Sequence, residues 1–156
     1  MAKKPYKPRA TKLNMGKNSK IPALPKKIGW PILIALVFLD AAITYSRGRE
    51  GNPLWKPLVE AFGTNMLFVL AALVLVLFYA VVRFVGWYIT KKEHFPQGEG
   101  IVLTTFVIAF ATYDIYITFA LPYIGFLGTN SHYAVIPVLL VPVLAYNVWA
   151  DRNRKK

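Results

Sequence analysis

Residues 66–82 read MLFVLAALVLVLFYAVV. No polar face recurs through this run at a helical period, as a half-buried helix in water would require. A helix that crosses a bilayer needs about 20 mainly apolar residues, and the flanking Thr64-Asn65 and Arg83 leave room for them. Hydrocarbon is therefore the expected solvent of this segment.

The rest of the chain agrees. Of its 156 residues, 56% are hydrophobic. The mean hydropathy of +0.42 is too high for a soluble domain with a polar shell. Four stretches, 30–46, 64–90, 101–121 and 133–150, contain only Asp40, Arg83 and Asp114 as charged residues. The expected fold is an all-α membrane protein, a four-helix transmembrane bundle over residues 29–150. A basic extended tail (residues 1–28) precedes it and a short basic tail (151–156) follows.

Orientation follows from Lys and Arg. Residues 1–29 carry Lys3, Lys4, Lys7, Arg9, Lys12, Lys17, Lys20, Lys26 and Lys27 and no acid. Lys91 and Lys92 follow the second span, and Arg152, Arg154, Lys155 and Lys156 close the chain. Between spans one and two lie only Arg47, Arg49 and Lys56, and between three and four none. The positive-inside rule then places both termini in the cytoplasm. Trp30, Trp87, Tyr88 and Trp149 fall at the inner helix ends, with Tyr45, Tyr123 and Tyr133 at the outer ones. The basic start is too long for a signal peptide's n-region, and no small-x-small cleavage site follows span one.

The tail, MAKKPYKPRATKLNMGKNSKIPALPKK, has nothing with which to form a core and is expected to be disordered alone. It reads as a solvated topology determinant, as a ligand for anionic lipid headgroups, or as a handle for an acidic protein or RNA. Tyr6 alone is no stacking platform for nucleic acid, which makes RNA the weakest of these partners.

In the outer loop, SRGREGNPLWKPLVEAFGTN, Asn52 followed by Pro53 predicts a helix N-cap and first position. Pro57 then falls inside the helix and predicts a kink, with Leu54, Trp55, Leu58 and Phe62 facing lipid. Gly63 ends the helix and Thr64 caps span two.

Two short motifs recur in order. Asp40-Ala-Ala-Ile-Thr44 matches Asp114-Ile-Tyr-Ile-Thr118, and Phe62-Gly-Thr-Asn65 matches Leu127-Gly-Thr-Asn130. Chance and ordinary helix capping explain such matches as well as a parallel duplication of helix pairs does. If spans one and three both run outward, Asp40 and Asp114 share a depth. Thr44 and Thr118, four residues on, then share their helix faces. A charge at the helix centre costs roughly 2.5–3.5 kcal/mol on insertion scales, so neither acid is expected to face lipid. The four residues are a candidate intramembrane polar site for a cation or for protons. The alternative is that each Asp joins helices by hydrogen bonds, or pairs with Arg47 or Arg49. Arg83 is expected to snorkel, and Pro137 and Pro142 to kink span four.

Catalysis has little to stand on. The chain has no cysteine, Glu-x-x-His, phosphate-binding Gly loop or Gly-x-Ser-x-Gly elbow. His94 and His132 fall on opposite sides of the membrane. Glu93, His94 and Glu99 read as a solvated basic connection. No metal or cofactor is expected.

The stretch LDAAITYSRGREGNPL, with Asp40, Thr44, Glu50, Asn52 and Pro53 followed by Gly63, resembles an uncharacterised prokaryotic, largely archaeal, family of small multi-pass membrane proteins. The resemblance covers residues 32–80. That family often carries a Lys in the next span, where this chain is apolar. The resemblance implies a membrane protein and no reaction.

The leading expectation is a non-catalytic accessory or structural subunit of a larger membrane complex, with its tail on a partner subunit or on lipid. The alternatives are a cation- or proton-coupled transporter or channel component, also compatible with a homo-oligomer, and a membrane-tethered nucleic-acid or ribosome binder.

Overall fold

The computed structural model describes residues 23–48, 50–52, 54–92, 97–120 and 135–154. These form five helices and no strand: α1 (Lys26–Arg47), α2 (Lys56–Phe62), α3 (Met66–Lys92), α4 (Gly98–Ile115) and α5 (Val135–Arg154). A π-helical turn, Tyr116–Ala120, continues α4. All but α2 are long and apolar enough to cross a membrane, each with a mean hydropathy of at least 1.3. Residues 1–22, Pro53, the Glu93–His94 connection and the 121–134 segment, with the second Gly-Thr-Asn motif and Tyr123 and Tyr133, lie outside the described residues.

The bundle is organised around α4, which packs against α1, α3 and α5. Its apolar stretch is 44% buried inside the bundle, against 22% for α1, 17% for α3 and 11% for α5. The other helices thus offer most of their apolar surface outward, as a lipid-solvated bundle should. At the centre, Leu33 of α1 and Leu103 of α4 are 0% exposed. Phe78 of α3 stacks against Phe106 and Phe110 of α4, with ring centroids 4.5 and 5.4 Å away. Such aromatic pairs contribute about 0.5–1.5 kcal/mol beyond the area they bury.

Where α3 ends and α4 begins, the backbones almost touch. A Cβ added to Gly86 would lie 2.6 Å from the Glu99 Cα, and one on Gly98 would lie 2.6 Å from the Gly86 carbonyl oxygen. Only hydrogen fits there. This approach holds Glu99 in the first turn of α4, where its carboxylate pairs with Lys26 of α1 and Arg83 of α3, the latter at 2.8 Å. Glu99 is thus no solvated loop residue. It joins three helices, and the Glu99 side chain is only 18% exposed. Arg83 is a partner in that clamp, and Lys26, expected in the free tail, is committed to it.

The tail also ends earlier than its composition indicates. Leu24 packs on the core, and its N–H donates to the Thr104 hydroxyl at 2.8 Å. Pro25 then caps α1. At the far end, Gly48 closes α1 in the left-handed conformation (φ 67°), its N–H returning to the Tyr45 carbonyl.

The short α2 departs from the expected kink. It begins at Lys56, so Pro57 lies in the first turn, where a missing N–H costs no helical bond. Asn52 does initiate the preceding turn: its Oδ1 accepts from the Leu54 N–H and its carbonyl from Trp55 and Lys56. Leu54 and Phe62 are exposed (75% and 70%), whereas Val59 is buried and Trp55 and Leu58 pack on the core rather than facing lipid. Pro137 likewise falls in the first turn of α5, which leaves Pro142 as the proline inside that helix. Asn147 of α5 reaches Thr105 of α4, with Nδ2 3.3 Å from the hydroxyl, an interhelical contact the sequence reading missed.

Replacing Gly86 by Ala forces α3 and α4 apart. Overpacking of this kind costs about 1–3 kcal/mol. A lower unfolding midpoint in detergent is expected for Gly86→Ala, while Ala80→Gly, on the exposed face of the same helix, loses no more than the intrinsic helix propensity of about 1 kcal/mol.

Candidate functional site

Asp40 and Asp114 come together because α1 and α4 run in the same direction in matched register. Near their starts, the Leu103 side chain lies over Gly29, close enough that a Cβ on Gly29 would be 2.9 Å from the Leu103 Cγ. Gly29 and Leu103 are 74 positions apart, as are Asp40 and Asp114. Equal rise along both helices carries the two aspartates to one level, three turns further on. They lie within coulombic reach of each other.

Their environments differ. Asp114 is 6% exposed, and neither of its carboxylate oxygens accepts a hydrogen bond from a described residue. Asp40 is half-buried, with its Oδ1 in the same condition. Among the described residues, no donor ties these three oxygens to a neighbouring helix. Nor is either acid ion-paired to a described base. Arg47 instead donates from Nη2 to the Ile117 carbonyl, 3.4 Å away in the π-helical turn. Arg49 lies outside the described residues.

An open cleft of about 590 Å³ adjoins Asp40. Asp40, Thr44, Arg47, Glu50 and Asn52 line its polar end, where α1 gives way to α2. Leu70, Ala71 and Val74 of α3, with Phe106 and Phe110 of α4, line its apolar depth. Volume and lining fall in the range of small-molecule sites. Glu50 and Asn52 are fixed at the mouth, since a Glu50 carboxylate oxygen accepts from the Asn52 N–H at 2.6 Å.

Of the four residues expected to form the polar site, Asp40 and Thr44 line the cleft. Asp114 is buried and is not among the lining residues. Thr118, half-buried, is likewise not among the lining residues. The i→i+5 bonding of the π-helical turn widens the helix after Ile115, so a residue four places beyond Asp114 no longer stands directly over it. Tyr113 was missed. It lines the cleft and lies within coulombic reach of Asp40, Glu50, Arg47 and Asp114. Its sequence signal was only its position beside Asp114. Of the nine tail cations, Lys3, Lys4, Lys7, Arg9, Lys12, Lys17 and Lys20 lie outside the described residues, and Lys27 is exposed at the start of α1.

Compared with known families, characterised proteins and solved structures, the chain finds no match, so its functional reading rests on this geometry.

Asp114→Asn and Asp40→Asn separate a structural role from a binding one. Polar groups that join membrane helices contribute about 0.6–1.7 kcal/mol each, whereas an unpaired buried charge costs stability. Both variants are therefore expected to unfold at the same temperature as the parent or higher. A midpoint lowered by either substitution would mark that acid as an interhelical tie.

Proposed function

We propose that this chain is the cation- or proton-handling component of a small membrane transporter or channel, with Asp40 as the residue that meets the cargo. The observation in support is that two carboxylates stand at one depth, Asp40 lining an open cleft, with three of their four oxygens free of hydrogen bonds from the described residues. Acids in hydrocarbon are expensive, and a bundle that keeps them unpaired has a use for their charge. Asp40 faces the cleft and is the point of entry. Asp114 is buried and shares its field, and Tyr113 lies within coulombic reach of both, with a hydroxyl able to donate or accept a proton.

The basic ends of the bundle belong in the cytoplasm on this proposal, and the cleft opens toward the opposite face. Because the chain has no cysteine, single replacements read this directly. In intact cells Ser46→Cys is expected to react with a membrane-impermeant maleimide and Arg152→Cys only after lysis. The reverse pattern would invert the topology.

An accessory role in a larger complex stands as the second reading. It draws on α5, whose apolar stretch is only 11% buried within the bundle and leaves a broad face for a neighbouring subunit. Purification from native membranes in mild detergent separates the two, since a stoichiometric partner supports the subunit reading. Transport is tested in proteoliposomes under an imposed cation or proton gradient. Asp40→Asn is expected to abolish protein-dependent flux with the helical content intact, and Asp114→Asn to reduce it at least about tenfold, a change of 1.4 kcal/mol. Undiminished flux in both variants would remove the acids from the mechanism.

A further inference from the structure

The cleft is larger than an inorganic ion or a proton needs, and its chemistry is divided. Its mouth carries Asp40 and Glu50, opposed among the described lining residues by Arg47 alone. Arg47 is turned toward the Ile117 carbonyl. Its depth is apolar, and five aromatic residues, Trp55, Phe78, Phe106, Phe110 and Tyr113, line the cleft as a whole. Three of those rings form one wall, Phe78 lying 4.5 Å from Phe106 and 5.4 Å from Phe110 between centroids.

A small dehydrated metal ion is a poor fit. It needs several oxygen ligands converging on one point, and among the described residues no three His, Cys, Asp or Glu side chains gather that way. An anion would meet more carboxylate than guanidinium. A wholly neutral apolar molecule would leave the acids without a counter-charge. An organic cation satisfies both halves: its charge faces Asp40, its apolar groups replace lipid against the leucines, and the ring faces attract the same positive charge.

We infer that the cleft between α1, α3 and α4 is a binding site for a lipophilic organic cation, with Asp40 as the charge-recognising residue and the Phe78–Phe106–Phe110 wall as the apolar bed. This inference rests on the reading of Asp40 as a cargo-facing acid and narrows the cargo to a chemical class. Ala71, buried on α3 and lining the cleft, marks how far the site extends. A Phe at that position adds a ring to the cleft while leaving every charged group of its lining in place.

The test uses the full chain in nanodiscs of phosphatidylcholine, which carry no net charge to attract the probes. Tetraphenylphosphonium and tetraphenylborate share a shape and differ in sign, so equilibrium dialysis against each separates charge recognition from partition into lipid. Saturable binding of tetraphenylphosphonium at one site per chain is expected, with none for tetraphenylborate. Asp40→Asn is expected to weaken it at least about tenfold and Ala71→Phe to abolish it. Ala109→Phe, from the facing wall on α4, serves where Ala71→Phe loses helical content. Saturable binding of both probes, binding of neither, or retention of tetraphenylphosphonium by all variants would overturn the inference. Flux that depends on Asp40 with no tetraphenylphosphonium site leaves the transport reading standing with a smaller cargo. A tetraphenylphosphonium site without flux leaves this inference standing and removes transport.

Discussion

Leu103 lying over Gly29 fixes the height at which α1 and α4 pass each other, and the far end of the bundle follows from it. Two helices in parallel, with the same rise per residue, keep whatever register their first contact sets. At the near end that register also brings Leu24 to Thr104 and Lys26 to Glu99. At the far end it carries Asp40 to the level of Asp114 and Arg47 to the carbonyl of Ile117. A glycine makes this possible, because any side chain at 29 would occupy the space that Leu103 fills. The polar site is therefore positioned by an apolar contact three turns away.

The two ends of the bundle treat charge in opposite ways. At the basic end, Glu99 is enclosed by the Gly86–Gly98 approach and answered by two cations, so the charge serves the packing of three helices. Removing their common partner would leave two half-exposed cations without their shared counter-charge. At the other end the balance is reversed: Asp40 and Asp114 share a level with no ion pair to a described base, and the nearby guanidinium is turned to a backbone carbonyl. The first arrangement spends charge on rigidity. The second leaves charge available beside a cleft, on the frame that the first holds still.

The division of labour extends to the apolar residues. The α4 helix is the most enclosed of the spanning helices and carries Asp114, Tyr113, Phe106 and Phe110, so the site is built on the element with least freedom to move. The short α2 folds over the mouth because Trp55, Leu58 and Val59 find apolar neighbours there, and its first turn is set by Asn52 and Glu50. The polar rim and the apolar depth of the cleft thus come from different parts of the chain. Proximity between them is a product of the fold.

The four long apolar helices could be read from the residues because the free energy that places a helix in hydrocarbon is a sum over local side chains. The shared depth of Asp40 and Asp114 was legible for a similar reason, since a regular helix converts sequence spacing into height. Where the reading failed, that regularity had ended or the partner was distant. Thr118 was placed by a rule for α-helices and falls in a π-helical turn. Pro57 was placed inside a helix that starts three residues later than Asn52 implied. Glu99 looked like part of a charged loop until Gly86 brought it against α3, and nothing near Thr105 announces Asn147. The sequence alone determined which solvent each segment prefers and how far apart along its helix each acid stands. Only the tertiary structure decided which faces meet, which charges are answered and where a cleft is left open, because these depend on contacts between residues far apart in the chain.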